Sequence, residues 1–293
     1  MQENEFGWNP ELEAQHAAAI QAMTVSPPCE AASGDIPETM DPDWFLQDLQ
    51  GPWPFCHAHM RTGMEEILAW LATHQVFQFS RKLAAVLDMR MDGNDSRPAG
   101  ASISGSIRAG QKWGTCLEKD WPYYATNQDA YTNKIPAAVM EKAGHFHITT
   151  VSPSIRTYQD LDRWNTSGRA VIGFGMDWTT GCDALTDKAQ AAAIPRGAYR
   201  GGHALLVFGW RTVKGERWPI VHNSQSNRWG VRRRCAWSPA IWNAVLSQSR
   251  FGAFAATNIS MDDPAPMAQP WGWVQDANFT STGKIDLKFG GAV

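Results

Sequence analysis

The residues best suited to chemistry surround Cys56, in the segment 50–60, which reads Gln-Gly-Pro-Trp-Pro-Phe-Cys-His-Ala-His-Met. Cys56 ends a turn-rich stretch and begins a helical pattern, so its thiol is predicted to lie at a helix N-terminus. The helix dipole and the unpaired N–H groups there stabilise a thiolate, which is the nucleophilic form of cysteine. Gln50 precedes Cys56 by six residues, so its amide could fold back beside the sulfur.

Two residues far downstream could complete a nucleophilic site. His203 lies in Gly-Gly-His-Ala-Leu-Leu-Val-Phe-Gly-Trp and Asn223 in Val-His-Asn-Ser-Gln-Ser-Asn-Arg-Trp-Gly, and both segments look like strands. The order cysteine, histidine, asparagine fits a nucleophile, a base and an amide that orients the base. His222 competes for the role of base, but strand alternation points it to the opposite face from Asn223. Each residue alone has an ordinary structural explanation; their combination favours catalysis.

These residues and their surroundings resemble the papain-like cysteine peptidases. The resemblance rests on four blocks: Gln50-Gly51 followed by Cys56, the stretch from Ala101 to Tyr123, Gly202-His203-Ala204 running into Val207 and Gly209, and Asn223-Ser224 followed by Trp229-Gly230. The blocks cover roughly residues 36 to 260. Their agreement in order and spacing is more specific than any one block alone.

The resemblance implies an α+β fold with two lobes. The helical left lobe would span about residues 37–145, and a β-rich, barrel-like right lobe about residues 146–260, with the active-site cleft between them. Residues 1–36 would form an N-terminal arm, or alternatively a short inhibitory prosegment, and residues 261–293 a C-terminal extension.

The resemblance also implies roles for individual residues. Cys56 would be the nucleophile, His203 the base and Asn223 its orienting amide. The Gln50 side chain and the Cys56 backbone N–H would bind the oxyanion. Trp229 would shield the histidine–asparagine contact from water.

The sequence departs from the family beside the nucleophile. His57 replaces the usual tryptophan, Pro54-Phe55 replaces the frequent Gly-Ser, and Gln225 replaces a tryptophan after the asparagine. These changes would reshape the cleft wall and leave the reacting groups intact.

Four residues are predicted to contact substrate. Phe55 would add bulk beside the thiol, while Gly202 leaves room beside the base. Ala204 would line the pocket for the substrate's second side chain, and Trp229 would form part of the wall.

Hydrophobic periodicity gives a coarse set of elements. Helices are predicted at 10–23, 56–71, 77–87, 101–113, 137–142, 157–164 and 240–246. Strands are predicted at 146–151, 170–174, 204–210, 219–222, 230–237 and 252–257. Residues 177–200 are expected to form a long excursion near the cleft that could act as a lid.

Composition excludes several classes of function. The net charge of −3, with Arg232–Arg234 as its one dense basic run, argues against nucleic acid as a partner. No apolar stretch suits a signal peptide or a membrane span, which predicts no membrane partner and a place in the cytoplasm or in a larger particle.

The five cysteines have no paired spacing that would indicate a zinc ribbon or a complete disulfide framework. Cys56 with His57 and His59 could bind a metal, but no matching ligand pair stands out elsewhere. No glycine-rich phosphate loop appears. The sequence therefore predicts neither a metal nor an organic cofactor.

The favoured hypothesis is a thiol peptidase that hydrolyses a peptide or protein substrate. One alternative is a weak or inactive papain-like domain that serves as an interaction module in a larger assembly, with a partner bound through Trp271, Trp273 and Phe279 of the C-terminal extension. The other alternative is a hydrolase of cell-wall peptides.

Overall fold

The computed structural model describes Glu13, residues 38–42, 44–123, 131–247 and 252–261, and the backbone of two further strands at 274–279 and 285–289. The first part of the described chain is helical: α1 (Cys56–Thr73), α2 (Arg81–Met91), α3 (Ile103–Lys112), a 3₁₀ turn (Glu118–Asp120) and α4 (Ala137–Ala143). We call this part the helical lobe.

The second part, the β-rich lobe, is built on one seven-stranded sheet. Its strands are β1 (Phe146–Val151), β2 (Val171–Thr179), β3 (Gln190–Ala191), β4 (Tyr199–Val213), β5 (Glu216–His222), β6 (Arg234–Trp237) and β7 (Ala253–Met261). The helices α5 (Tyr158–Thr166), α6 (Thr180–Asp183) and α7 (Pro239–Ser247) connect them. The fold is thus α+β, as predicted.

The sheet is open and does not close into a barrel. Its strand order is β1-β7-β2-β4-β5-β6-β3, so β1 and β3 form the two edges. All the pairings are antiparallel except that of β3 with β6. Closure into a barrel would require the edge strands β1 and β3 to pair with each other, and β3, with two residues, is too short to form such a ladder. The β-rich lobe predicted as barrel-like is therefore an open sheet.

Helix α1 packs against the sheet and is buried from Cys56 to Trp70. Strand β4 separates two hydrophobic cores, and its alternate residues face opposite sides. Ala204, Leu206 and Phe208 belong to the core that includes α1, while Leu205 and Val207 belong to the core that includes α7. This alternation is what a strand covered on both faces requires. It places β4 directly against the helix that carries the thiol.

The predicted helix at 77–87 begins later than expected, at Arg81. Ser80 caps α2 by accepting a hydrogen bond from the Leu83 backbone N–H at 3.1 Å. Phe77 and Phe79 precede the cap and stack on one another, with ring centroids 6.0 Å apart. A serine cap fixes the first turn more strongly than apolar spacing does, which explains the shift.

The predicted strand at 230–237 is shorter than expected. Arg232 and Arg233 adopt positive φ angles of 53° and 59°, which make a turn and delay β6 to Arg234. The expected excursion at 177–200 is partly regular, since it contains the end of β2, helix α6, β3 and the start of β4.

The predictions for the two ends of the chain lie mostly outside the described residues. Of the helix predicted at 10–23, only Glu13 is described, and Trp271 and Trp273 are not described. Phe279 is the last residue of β8 (Val274–Phe279), which pairs antiparallel with β9 (Ile285–Phe289). The boundaries at 36 and 260 stay predictions. No helix in the described ranges is long and apolar enough to cross a membrane.

Candidate active site

Cys56 is the first residue of α1, as its sequence position predicts. Phe55 occupies the N-cap without a side-chain hydrogen bond, and the first turn has no acidic residue. The N–H groups of that turn therefore keep their attraction for negative charge at the end where the thiol lies. The Cys56 side chain is fully buried, and the Ala204 backbone N–H donates to its Sγ at 3.3 Å.

Two glycines permit this close approach of helix and sheet. A Cβ built on Gly63 of α1 would lie 2.5 Å from Leu206 Cδ2 of β4. A Cβ on Gly173 of β2 would lie 2.7 Å from the sulfurs of both Met60 and Met64. A larger residue at either position would require the Leu206 side chain, or those of Met60 and Met64, to move out of the interface between α1 and the sheet.

His203 and Asn223 form a buried pair. The His203 Nε2 lies 2.8 Å from the Asn223 Oδ1, and that oxygen also accepts the Gln225 backbone N–H at 3.1 Å. Because the Gln225 backbone N–H can only donate, the Asn223 atom that it contacts is the amide oxygen. That oxygen can only accept, so we assign the proton of the imidazole to Nε2. Nδ1 is then the basic nitrogen. The order of the residues and the resemblance to the papain-like peptidases predicted this partnership between residues 20 positions apart.

The environment of His203 favours the neutral ring. Burial lowers the pKa of His203 to about 4, although the hydrogen bond to Asn223 and the charge of Asp183 act in the opposite direction. At neutral pH the imidazole is therefore in the form that can accept a proton. Ala204 follows His203 directly in β4, and its backbone N–H donates to the Cys56 sulfur. The residue that bears the imidazole is therefore adjacent in sequence to the residue that contacts the thiol.

Trp178 is a site residue that the sequence analysis missed. Its ring contacts the His203 ring edge-on, with centroids 4.6 Å apart, and its Nε1 donates to Asp183 Oδ1 at 2.7 Å. Trp178 lies two residues after Met176, the cross-strand partner of His203, so both face the same side of the sheet. Only the strand register could have revealed it.

Trp229 lies behind Trp178. The two rings are 6.1 Å apart, and the Trp229 Nε1 donates to the Cys182 carbonyl at 3.0 Å. The ring packed on the imidazole is thus Trp178, with Trp229 supporting it from the far side. The predicted role of Trp229 as the shield of the histidine–asparagine contact stays a prediction.

Gln50 is tied to the segment that carries Asn223. Its Oε1 accepts the Ser224 hydroxyl at 2.7 Å, and its backbone N–H donates to the Ser224 carbonyl at 2.9 Å. Its Nε2 donates to the Trp53 carbonyl at 2.9 Å. These contacts orient the amide, and an amide nitrogen carries two N–H groups, so one donor remains for a ligand after the bond to Trp53.

The other predicted substrate contacts differ in their surroundings. Gly202 and Ala204 flank His203 on β4 and are buried. The Phe55 ring packs inside the helical lobe, stacked on Trp53 at 5.7 Å and close to the rings of Tyr123 and Tyr131. The predicted contact of Phe55 with substrate stays a prediction, and its observed neighbours are partly buried aromatic residues.

His57, which replaces the family's tryptophan, faces a buried ionic network. Its Nδ1 lies 2.9 Å from Asp88 Oδ2, while Arg61 Nε lies 2.8 Å from Asp88 Oδ1 and Arg61 also pairs with Glu65 at 2.9 Å. All four side chains are fully buried. No three His, Cys, Asp or Glu side chains in the described ranges converge as metal ligands, so nothing there supports a metal site with Cys56, His57 and His59.

His222 is separate from the His203–Asn223 pair. Its Nε2 donates to the Phe208 carbonyl at 3.1 Å, and its ring lies 5.3 Å from that of Phe45. Burial and the charge of Arg234 lower the pKa of His222 to about 3. His222 is thus a buried core histidine bonded to the backbone, which agrees with the face that strand alternation gives it.

Comparison by sequence finds no relative: no known family matches this chain, and no curated protein matches it. Comparison by structure finds proteins of similar fold. Xylellain, a cysteine protease from Xylella fastidiosa, superposes with a TM-score of 0.69 at 19% identity over 87% of this chain and 96% of its own. The proform of cathepsin B S9 from Trypanosoma congolense (TM-score 0.60, 15% identity) covers 81% of this chain and 84% of its own. Digestive procathepsin L 3 of Tenebrio molitor (TM-score 0.58, 12% identity) covers 83% and 79%.

Proposed function

We propose that this chain, which has the fold of the papain-like cysteine proteases, is a thiol peptidase with Cys56 as its nucleophile. One observation carries the proposal. Within β4, Ala204 contacts the Cys56 sulfur at 3.3 Å and the preceding His203 holds Asn223 at 2.8 Å. A thiol at a helix N-terminus is thus combined with an oriented, neutral imidazole, as nucleophilic catalysis needs.

The proposed reaction has two halves. In the first, His203 Nδ1 accepts the Cys56 proton, the sulfur attacks the peptide carbonyl carbon, and the C–N bond breaks as the imidazolium returns its proton to the leaving amine. In the second, the imidazole takes a proton from water, whose oxygen displaces the sulfur from the thioester. Asn223 keeps the Nε2–H oriented throughout, so Nδ1 always faces the transferred proton.

The oxyanion of each tetrahedral intermediate is assigned to the Cys56 backbone N–H and the second N–H of Gln50 Nε2. The chain prepares this donor, because Ser224 and Trp53 hold the Gln50 amide in place before substrate arrives. A donor that is already oriented costs no reorganisation when the negative charge develops.

Replacing Gln50 with alanine should lower kcat by about 100- to 1,000-fold and change KM little, since the lost hydrogen bond forms mainly in the transition state. Ser224→Ala, which removes one of the two hydrogen bonds that orient the Gln50 amide, should have a smaller effect in the same direction. Steady-state hydrolysis of a fluorogenic peptide measures both. An unchanged kcat in the Gln50 variant would remove Gln50 from the site.

Selective alkylation tests the nucleophile itself. Burial raises the pKa of Cys116 and of Cys235 to about 12 and also raises that of Cys182, so these thiols stay protonated at pH 7. Limiting iodoacetamide at pH 7, followed by peptide mapping, should modify Cys56 first among these four. The Cys56→Ala variant provides the blank. Equal or slower modification of Cys56 would favour an inactive domain that acts as an interaction module.

Substrate class separates the remaining alternatives. The proposal expects cleavage of peptide or protein substrates such as casein. A hydrolase of cell-wall peptides should instead prefer peptidoglycan fragments, so parallel assays of the two substrates decide between them.

The N-terminal residues are proposed to form an arm anchored on the domain. Glu13 is buried, and its carboxylate accepts the backbone N–H groups of Ile103 at 2.5 Å and Ser104 at 2.9 Å, at the N-terminus of α3. A Cβ built on Gly252, beside β7, would lie 2.8 Å from Glu13 Oε1. Glu13 thus touches both lobes, which supports an arm packed on the domain; the short inhibitory prosegment remains the alternative.

A further inference from the structure

The Tyr123 hydroxyl binds the residue that supplies the proposed oxyanion donor. It donates to the Gln50 backbone carbonyl at 2.6 Å, although the two residues are 73 positions apart in sequence. Gln50 is only 1% exposed, so its carbonyl depends on a donor from the protein. The proposed proton transfers give Tyr123 no part, and its contact with Gln50 therefore needs another explanation.

The two lobes hold the Gln50 backbone through different atoms. Tyr123 of the helical lobe binds its carbonyl, and the Ser224 carbonyl of the β-rich lobe accepts its N–H at 2.9 Å. Both hydrogen-bonding groups of the Gln50 backbone are thus engaged before its side chain is considered. The backbone from which the donor amide extends is fixed by both lobes.

Tyr123 is itself held in place by a set of charged residues. Its backbone N–H donates to Glu118 Oε1, and Glu118 Oε2 accepts the Arg81 N–H at 3.2 Å at the start of α2. The Arg81 guanidinium pairs with Asp48 at 3.0 Å, two residues before Gln50. The start of α2 is therefore linked to the segment 48–50 twice, once by this ion pair and once through Tyr123.

The ring and the hydroxyl of Tyr123 have separate surroundings. The ring lies beside the first turn of α1, with its centroid 6.3 Å from that of Phe55 and 5.3 Å from that of His59. Burial, followed by the charge of Glu118, raises the pKa of Tyr123, so the hydroxyl stays protonated at neutral pH. The hydroxyl can therefore donate to the Gln50 carbonyl at every pH at which the thiol would be active.

We propose that Tyr123 is a positioning residue for the oxyanion site. Its hydroxyl fixes the Gln50 backbone, so that the free N–H of Gln50 Nε2 points to the place where the oxyanion forms. This role rests on the proposed peptidase function and adds a residue that acts only through Gln50. A donor that is slightly displaced loses much of its value, because the oxyanion exists only in the transition state and in the intermediates beside it.

Tyr123→Phe removes the hydroxyl and keeps the ring beside Phe55 and His59. It should lower kcat about tenfold and change KM little, since the displaced donor weakens binding of the transition state and not of the substrate. In the Gln50→Ala background the same substitution should change kcat less than about twofold, because no donor remains to be oriented. Steady-state hydrolysis of a fluorogenic peptide by the four variants of this cycle gives both constants.

Tyr131→Phe is the matched control. Tyr131 also packs on Phe55, with ring centroids 6.0 Å apart, and its hydroxyl also donates to a backbone carbonyl, that of Asp95. Its loss should lower thermal stability about as much as Tyr123→Phe does and leave kcat and KM unchanged. The proposal is wrong if Tyr131→Phe lowers kcat as much as Tyr123→Phe, or if Tyr123→Phe lowers kcat equally with and without the Gln50 side chain.

A second variant covers the case in which Tyr123→Phe does not fold. Glu118→Gln keeps the shape of the side chain and weakens the acceptor of the Tyr123 N–H. It should lower kcat in the same direction, by less than Tyr123→Phe, and only while Gln50 is present. An unchanged kcat in Glu118→Gln would then overturn the proposal.

The resting protein separates failure of this proposal from failure of the peptidase function. The side-chain amide resonances of Gln50, identified in isotope-labelled protein by their loss in Gln50→Ala, should shift in Tyr123→Phe and stay in place in Tyr131→Phe. A wild-type chain that cleaves no peptide and shows no preferential alkylation of Cys56 overturns the proposed function and the positioning role together. An active wild-type chain whose kcat and Gln50 resonances are both insensitive to Tyr123→Phe overturns the positioning role alone.

Discussion

Cys56→Ala is expected to lower peptide hydrolysis by about 10⁴- to 10⁶-fold. The substitution removes the one atom that can form the thioester and leaves the oxyanion donors in place, so only the catalysis that comes from binding and oxyanion stabilisation should remain. Cys56→Ser should be nearly as inactive, because His203 would have to remove a proton from a hydroxyl, which is far less acidic than a thiol. Hydrolysis of a fluorogenic peptide and of casein provides the measurement.

Cys116→Ala is the matched control. Cys116 is also fully buried, but it lies in the core of the helical lobe with Leu83, Leu87 and Ala109. Its loss should lower thermal stability modestly and leave kcat unchanged. Hydrolysis that survives in Cys56→Ala, or that disappears in Cys116→Ala while the protein stays folded, would contradict the assignment of the nucleophile.

The start of α1 could be predicted because the signal is local. A run of turn-forming residues ends at Phe55, and from Cys56 onward apolar residues recur at helical spacing, so the boundary is set within a few residues of sequence. His203 and Asn223 could not be predicted from local pattern alone, since the pattern of a strand does not indicate which of its polar residues faces the site. Their order and spacing relative to Cys56 supplied what local pattern could not.

What could not be predicted depends on contacts between distant segments. Trp178 reaches His203 through the register of β2 with β4, and Ser224 orients Gln50 across 174 positions of sequence. The pairing of His57 with Asp88 is of the same kind, because it joins residues on two different helices. Hydrophobic periodicity carries no information about which buried polar groups will meet.

The buried ionic network beside Cys56 offers a physical account of the departure from the family at His57. A tryptophan would fill that space with apolar surface. The histidine instead requires the Asp88 carboxylate, and Asp88 in turn requires Arg61, since an unpaired charge in this interior would be costly. Loss of Arg61 alone would therefore leave two buried carboxylates without their cation, whereas loss of His57 alone would leave Asp88 paired with Arg61. The proposed proton transfers need none of these side chains.

His203→Asn is expected to lower kcat by at least about 10³-fold and to change how Cys56 responds to pH. In the wild-type chain, burial lowers the pKa of His203 to about 4, so the ring is neutral above that pH and can take the thiol proton; below it the ring is protonated and cannot. Without the imidazole, Cys56 must ionise unaided, as an ordinary thiol with a pKa near 8.5 does. At pH 6 we therefore expect iodoacetamide to modify Cys56 more slowly in His203→Asn than in the wild-type chain, because the group that accepts the thiol proton is lost.

Asn223→Ala and His222→Gln complete the test of the base. Asn223→Ala should lower kcat less than His203→Asn, and adding it to His203→Asn should cost little more, because the amide acts only through the ring. His222→Gln keeps a donor for the Phe208 carbonyl and should leave both kcat and the alkylation profile unchanged. If the His222 variant loses activity while His203→Asn keeps it, the base is His222. If the effects of His203→Asn and Asn223→Ala multiply fully, the two residues do not act as a unit, and the oriented imidazole proposed for this site is wrong.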